Sequence, residues 1–237
     1  MTDTSIDKIY DGYEEWKGWS DLFCYSDDER DYYHGETRAL AIRGARVLEI
    51  GFGSGSFLQW AADNGASVSG TEVNRALASA ARDRGFDVLN ADIGQVADGY
   101  TDHFDTIVAF DVFEHLSIPQ IKSYLAATEK MLKPGGHLLL RFPNGQSPFG
   151  LVAQHGDYTH RTALSFSIFD QLIKHLRYML VCYRQVYNVR GRNWATTFAR
   201  FWQSMAKRAI SRTLNMIFAN RIIYDPVVVL ILKKHPL

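Results

Sequence analysis

A chain of 237 residues, 46% hydrophobic and 22% charged, carries enough apolar side chain for one well-buried core, and its length suits a single α/β domain with elaborations. Its 26 basic and 26 acidic side chains cancel, which excludes a uniformly basic or acidic binding protein. Cys24 and Cys182 stand apart without a partner pattern, so neither a disulfide framework nor a cysteine zinc site is expected, and two reduced thiols in a cytosolic protein are.

Met1 to Ser5 is polar and acidic, unlike an ordinary secretory signal. Up to Arg38 acids dominate, and Tyr10, Tyr13, Trp16, Trp19, Phe23, Tyr25, Tyr32 and Tyr33 make the segment too aromatic for a disordered tail. Residues 1–43 are therefore expected to form a helical lid, and residues 44–237 the main domain. From Arg46 strand and helix patterns alternate, which predicts a Rossmann-like, seven-stranded, mostly parallel sheet with helices on both faces. The strands are Val47–Ile50, Ser67–Thr71, Phe86–Leu89, Phe104–Phe110, His137–Phe142, Leu180–Val189 and Val227–Lys233, the last two forming an antiparallel edge. Helices are expected over Phe57–Asn64, Asn74–Arg84, Ile118–Leu132 and Ser167–Leu176, with Asn74 as a cap and Pro134-Gly135-Gly136 as a stop. The most apolar tract, Ile222 to Leu232, is broken by Asp225-Pro226 and falls well short of the ~20 residues that a helical membrane span requires.

The first strand runs into Gly51-Phe52-Gly53-Ser54-Gly55, and a helix follows at once. Glycines there remove the Cβ atoms that would hold a ligand away from the backbone, and the helix amino terminus adds the positive end of a dipole. A dinucleotide fingerprint is Gly-x-Gly-x-x-Gly, whereas this loop is Gly-x-Gly-x-Gly with Glu49 two residues ahead. Glu72 closes the second strand, where a carboxylate can hold a ribose diol. Asp92 follows the third strand and can accept from an adenine amino group, with Val73 and Ile93 flanking the ring. Read singly, Glu49 equally serves loop amides, Asp92 equally caps a short helix, and Asp105 reads as structural.

Taken together, Glu49 to Gly55, Glu72, Asp92, Phe104 to Leu116 and Met131 to His137 resemble the class I S-adenosylmethionine (SAM)-dependent methyltransferases over about Arg46 to Phe142. The resemblance implies that Glu49, Gly51, Phe52, Gly53 and Gly55 hold the methionine part of SAM, Glu72 the ribose hydroxyls and Asp92 the adenine, with Val73 and Ile93 on either side of the ring, and that Asp111 borders the cofactor. Glu72 stands where many members carry aspartate and keeps the carboxylate.

Methyl transfer from a sulfonium needs mainly in-line positioning, but a hydroxyl acceptor must also lose its proton, for which histidine is suited near neutral pH. The candidates are His160, His115 and His155. The long polar loop from Asn144 to Arg161 lies outside the carboxyl ends of the strands, where such sheets bind substrates. It resembles loops of methyltransferases from bacterial cell-surface polysaccharide clusters. Asp111-x-x-Glu114-His115 resembles the Glu-x-x-Glu-His pattern with which ubiquinone-biosynthesis O-methyltransferases hold a divalent ion, and oxygen ligands with one imidazole suit magnesium or manganese. His155, Asp157 and His160 form a second candidate ligand set.

Residues 171–224 contain no acid, while Lys174, Arg177, Arg184, Arg190, Arg192, Arg200, Lys207, Arg208, Arg212 and Arg221 accumulate. Such segregation points to an anionic partner surface or to the acidic amino-terminal segment. An insertion at 190–224 contains one or two helices with Trp194, Phe198, Phe201, Trp202, Met205, Ala209, Met216 and Ile217 on one side. An aromatic stripe beside a cationic one suits the surface of an anionic membrane, and a second subunit or the domain itself is the alternative partner.

The leading expectation is a cytoplasmic SAM-dependent O-methyltransferase, peripheral at the inner face of the cell membrane, acting on a sugar hydroxyl of a surface polysaccharide or lipid-linked glycan. The alternative acceptor is a prenylated quinone or other lipophilic phenol, with a divalent metal assisting. Nucleic acid ranks below both, because the Asn/Asp-Pro-Pro-Tyr motif is missing.

Overall fold

A computed structural model of the chain describes residue 18 and residues 21–236. Tyr10, Tyr13, Trp16 and Trp19 of the expected lid lie outside the described residues. The first described helix, α1 (Asp27–Thr37), starts at a Ser26–Glu29 capping box. A seven-stranded sheet follows: β1 (Arg46–Ile50), β2 (Ser67–Thr71), β3 (Asp87–Val88), β4 (Phe104–Phe110), β5 (Leu132–Pro143), β6 (Tyr178–Gln185) and β7 (Val227–Lys234). Between the strands run α2 (Ser56–Asp63), α3 (Arg75–Asp83), α4 (Ile93–Val96), α5 (Ile118–Met131), α6 (Leu151–His155), α7 (Phe166–Leu172) and α8 (Trp194–Ile217).

The strand order is β3-β2-β1-β4-β5-β7-β6. The first five strands are parallel, and β7 runs antiparallel to both of its neighbours, β5 and β6. The antiparallel strand is thus inside the sheet, and β6 is the edge. The burial pattern gives the reason: Val228 to Leu232 are all buried, as a strand covered on both faces must be, whereas Met179, Leu180 and Val181 of β6 are exposed. The two strands next to the order reversal, β1 and β4, have their carboxyl ends side by side, and their register pairs Ile50 with Ala109. Ligands bind at such a switch point.

One core lies between the sheet and α5 and α7, centred on Ile107, Leu138, Leu140, Phe113, Phe142 and Phe169. On the other face Phe57 and Trp60 of α2 meet Tyr33 of α1, with ring centroids 5.3 and 5.6 Å apart. This aromatic group seats α1 on the main domain. Fully buried Glu36 ties the end of the helix to the far edge of the sheet, through Arg184 Nη2 at 2.6 Å and the Tyr187 N–H at 2.5 Å. Glu36→Ala leaves the largely covered Arg184 without its counter-charge. We expect a loss of about 3 kcal/mol, or roughly 6–12 °C in Tm, measured by thermal denaturation.

Candidate active site

The loop after β1 is built by glycines where the backbone needs them. Gly51, Gly53 and Gly55 have φ of 66°, 52° and 75°, the left-handed region that side chains disfavour. Space is short as well: a Cβ on Gly51 would meet Val112 Cγ2 at 2.7 Å, and one on Gly55 the Phe23 ring at 2.3 Å. The amino-terminal segment is sewn onto this loop, with the Phe23 N–H donating to Ser54 O at 2.7 Å and Ser56 Oγ donating to Cys24 O at 2.7 Å.

Glu49 is 4% exposed at the end of β1, and among the described residues its Oε2 accepts no hydrogen bond. Burial, and then the neighbouring Glu72 carboxylate, push its carboxyl well above the usual range, while Arg141 and the Leu58 N–H oppose them. Glu72 braces the loop: Oε2 accepts from Gly53 N–H and Oε1 from Asn74 N–H, both at 2.9 Å. Asp92 caps α4, accepting from Gly94 N–H at 3.1 Å and Gln95 Nε2 at 2.9 Å, and remains exposed. Val73 is 39% exposed and can offer a face to an adenine ring, but Ile93 is fully buried in the core and Phe52 packs against Leu58 and Leu77. A buried carboxylate with one oxygen left without a hydrogen bond, beneath a glycine turn, fits the ammonium of SAM.

Asp111 follows β4 with φ 55° and is held by Arg141 of the adjacent strand, Nε to Oδ1 at 2.9 Å and Nη2 to Oδ2. Arg141 also reaches the Tyr32 hydroxyl at 3.0 Å and stacks over the Tyr32 and Phe110 rings. Arg141 was not among the residues expected from the sequence. A lone charge within Leu138-Leu139-Leu140-Arg141-Phe142 is the signal that marks it.

Two histidines come together beside the turn after β4. The Arg161 and Thr162 N–H groups both donate to Glu114 O, at 2.8 and 3.0 Å, which draws the loop after β5 onto this turn. The His115 and His160 ring centroids are 4.6 Å apart. His160 Nδ1 lies 3.0 Å from the Gln154 carbonyl, which can only accept, so the network assigns the proton to Nδ1 and the lone pair to Nε2. Nε2 faces Glu114 Oε1 at 4.0 Å and Asp157 Oδ2 at 3.9 Å. The Thr159 hydroxyl donates to Asp157 Oδ1 at 2.5 Å and thus accepts from His115 Nδ1 at 2.8 Å. Glu114, His115 and His160 each offer a ligand atom, all within 4.8 Å of one another. The expected metal set is therefore redrawn around His160, since Asp111 is engaged by Arg141. His155 is exposed at the end of α6 and outside this group.

The methyltransferase-domain family model matches residues 25–201, well over half of the chain. The chain belongs to this methyltransferase family. It is similar in fold to a SAM-dependent methyltransferase of Archaeoglobus fulgidus, with a TM-score of 0.67, 19% identity, and 95% of this chain and 99% of that one covered. It is also similar to the didemethyltoxoflavin N1-methyltransferase of Burkholderia thailandensis, with a TM-score of 0.57, 15% identity, and 97% and 85% covered. Ubiquinone biosynthesis O-methyltransferases are similar in sequence. That of Hahella chejuensis is 32% identical over 104 residues, 41% of this chain and 43% of the relative, and that of Xanthomonas oryzae is 30% identical over 129 residues, 52% and 53%. The chain thus spans about half the length of the curated relatives it matches. The cofactor of this methyltransferase is SAM.

Glu49→Gln tests the cofactor site. A raised carboxyl favours the folded chain below the ordinary carboxylate range and loses that advantage as pH rises through the raised value. The variant, with no charge to desolvate, should melt above the wild-type apoprotein at neutral pH, by a margin that grows with pH. Calorimetry should show SAM affinity lowered roughly 10- to 100-fold, the worth of a charge-assisted hydrogen bond.

Proposed function

We propose that this methyltransferase transfers the methyl group of SAM to a hydroxyl oxygen of a lipid-linked acceptor, with His160 taking the hydroxyl proton. The supporting observation is the fixed His160 tautomer: Nδ1–H is committed to the Gln154 carbonyl, so Nε2 is free to accept. Glu114 and Asp157 then stabilise the imidazolium formed as the proton moves. The hydroxyl oxygen attacks the methyl carbon in line, the carbon–sulfur bond breaks, and S-adenosylhomocysteine leaves neutral at sulfur. His115, oriented by Thr159, positions the acceptor beside it, and exposed His155 serves at the loop rim.

A lipid-bearing acceptor is supported by the rim itself, where Phe149, Leu151, Val152 and Tyr158 are 53%, 57%, 85% and 82% exposed on one loop. The sugar hydroxyl of a lipid-linked or surface glycan is the first acceptor in this reading. Residues 1–43 act as the lid, 44–237 as the catalytic domain, and the enzyme works in the cytoplasm at the inner face of the cell membrane. Among the described residues no helix is long and apolar enough to cross a membrane. His160→Ala should lower kcat about 100-fold or more while leaving the calorimetric SAM affinity within about twofold. An unchanged kcat overturns the base assignment.

The Glu114, His115 and His160 grouping supports a second reading, in which the acceptor is a prenylated phenol and these three residues hold a divalent ion. The Gln154 carbonyl would orient His160 as a ligand, as outer partners of metal-bound imidazoles do. Such an ion would supply Lewis-acid polarisation of the acceptor oxygen. Assays of a prenylated catechol and a lipid-linked sugar, each with and without chelator, separate the two readings. Calorimetry with manganese and zinc measures the site itself: saturable binding lost in His160→Ala favours the ion, and activity indifferent to chelation favours the bare base.

A further inference from the structure

Helix α8 runs for 24 residues without one buried side chain. Its body-facing side is polar and paired. Arg200 donates to the Val189 and Arg190 carbonyls at 3.1 and 2.9 Å and pairs with Asp28 at 3.3 Å. Lys207 meets Asp225 at 3.4 Å, and the Asn215 amide bonds both the N–H and the carbonyl of Ile222. These contacts fix the roll of the helix, and the other side faces out: Trp194, Phe198, Phe201, Trp202, Met205 and Met216 are 85%, 59%, 57%, 56%, 42% and 77% exposed. At a rise of 1.5 Å per residue this stripe is roughly 33 Å long.

Arg208 and Arg212 lie at helical spacing on the same outward line, and among the described residues neither makes an ion pair. The same holds for Arg190 before the helix and Arg221 after it. From these features the geometry points to an anionic lipid bilayer as the surface on which α8 docks, the helix lying in the headgroup layer with its rings inserted. A second copy of the face is the poorer occupant. Residues 171–224 hold no acid with which an approaching copy could pair, so two such faces repel. Aromatic rings beside guanidinium groups suit a layer that is apolar below and negatively charged above.

The same segment touches the acceptor loop. After α8 the chain returns through Ile223 to Asp225, whose carbonyls accept from Asn144 Nδ2 at 2.7 and 3.1 Å, and the Tyr224 carbonyl accepts from Ser147 Oγ at 2.6 Å. A bilayer on α8 therefore sits beside the loop given the acceptor. This docking deepens the membrane-face location given in the proposed function by naming the surface that makes contact, and vesicle binding is read without methyl transfer, so either can fail alone.

The test is flotation of the full chain with phosphatidylcholine vesicles and with vesicles containing 30% phosphatidylglycerol (roughly the charge at which polybasic segments respond), in about 0.1 M salt. We expect binding to the anionic vesicles only. Each cation near such a surface is worth about fivefold, so Arg208→Ala with Arg212→Ala should weaken binding about 25-fold. Phe198→Ser with Trp202→Ser should abolish flotation, and unchanged SAM affinity would show that both variants remain folded. Equal binding to neutral vesicles, no binding to either kind, or indifference to the arginine substitutions overturns the proposal. So does a concentration-dependent dimer that buries Trp202 and excludes vesicles.

Discussion

The candidate cofactor site rests on one unfavourable placement, the carboxylate of Glu49 at the buried end of β1. The strand around it must be apolar to sit in the middle of the sheet, and Val47, Leu48 and Ile50 are fully or almost fully covered. A carboxylate there loses its hydration, and Glu72 adds repulsion that Arg141 and the Leu58 N–H only partly offset. Past Ile50 the chain enters the Gly51–Gly55 turn, whose glycines take the left-handed backbone and let Gly51 approach Val112 more closely than any side chain could. What would relieve Glu49 is a cation delivered over the loop. The ammonium of SAM fits that description, and the burial that raises the Glu49 carboxyl would strengthen its pairing with such a cation.

The acceptor side is organised differently, by backbone groups rather than buried charge. Glu114 offers its carbonyl to two successive N–H groups of the loop after β5, and Thr162 Oγ1 donates to Leu116 O at 2.6 Å. With the Thr159–His115 hydrogen bond, these contacts hold a loop against a turn 44 residues away in sequence at the closest pairing. The consequence is chemical. Asp157, Thr159 and His115 fall into one chain of hydrogen bonds, and His160 takes its tautomer from a main-chain carbonyl that no side-chain substitution removes.

Much of this was legible in the sequence. The alternation of apolar runs with helical spacing places all seven strands within a few residues, and the glycine turn after β1 and the Asp92 cap of α4 are readable too, because strand ends, tight turns and caps are local properties. What stayed hidden depends on contacts across the chain. Arg141 and Asp111 meet only through the register that sets Phe110 beside Arg141, and 30 residues separate the pair. Ile93 looked available to an adenine ring, but α4 turns it into the core, and a four-residue helix carries no periodicity from which to tell its faces. The Gln154 carbonyl is invisible for a simpler reason: every residue has one.

Helix α8 shows the same limit in its sharpest form. Its amphipathic pattern announces two faces, and the ordinary assumption sends the aromatic one inward. Paired charges decide otherwise. Arg192 meets Asp27 and Asp28 at 2.5 and 3.0 Å, Arg200 meets Asp28, and these guanidinium groups hold both carboxyls below the usual range. The acidic amino-terminal segment therefore does neutralise part of the basic insertion, but only the part turned toward the body. The cations left over share a face with the rings, so the overall neutrality of the chain conceals a helix whose outer side is both apolar and positive. Those two properties conflict in water and in a protein core, and are reconciled where an apolar layer lies beneath a negatively charged one.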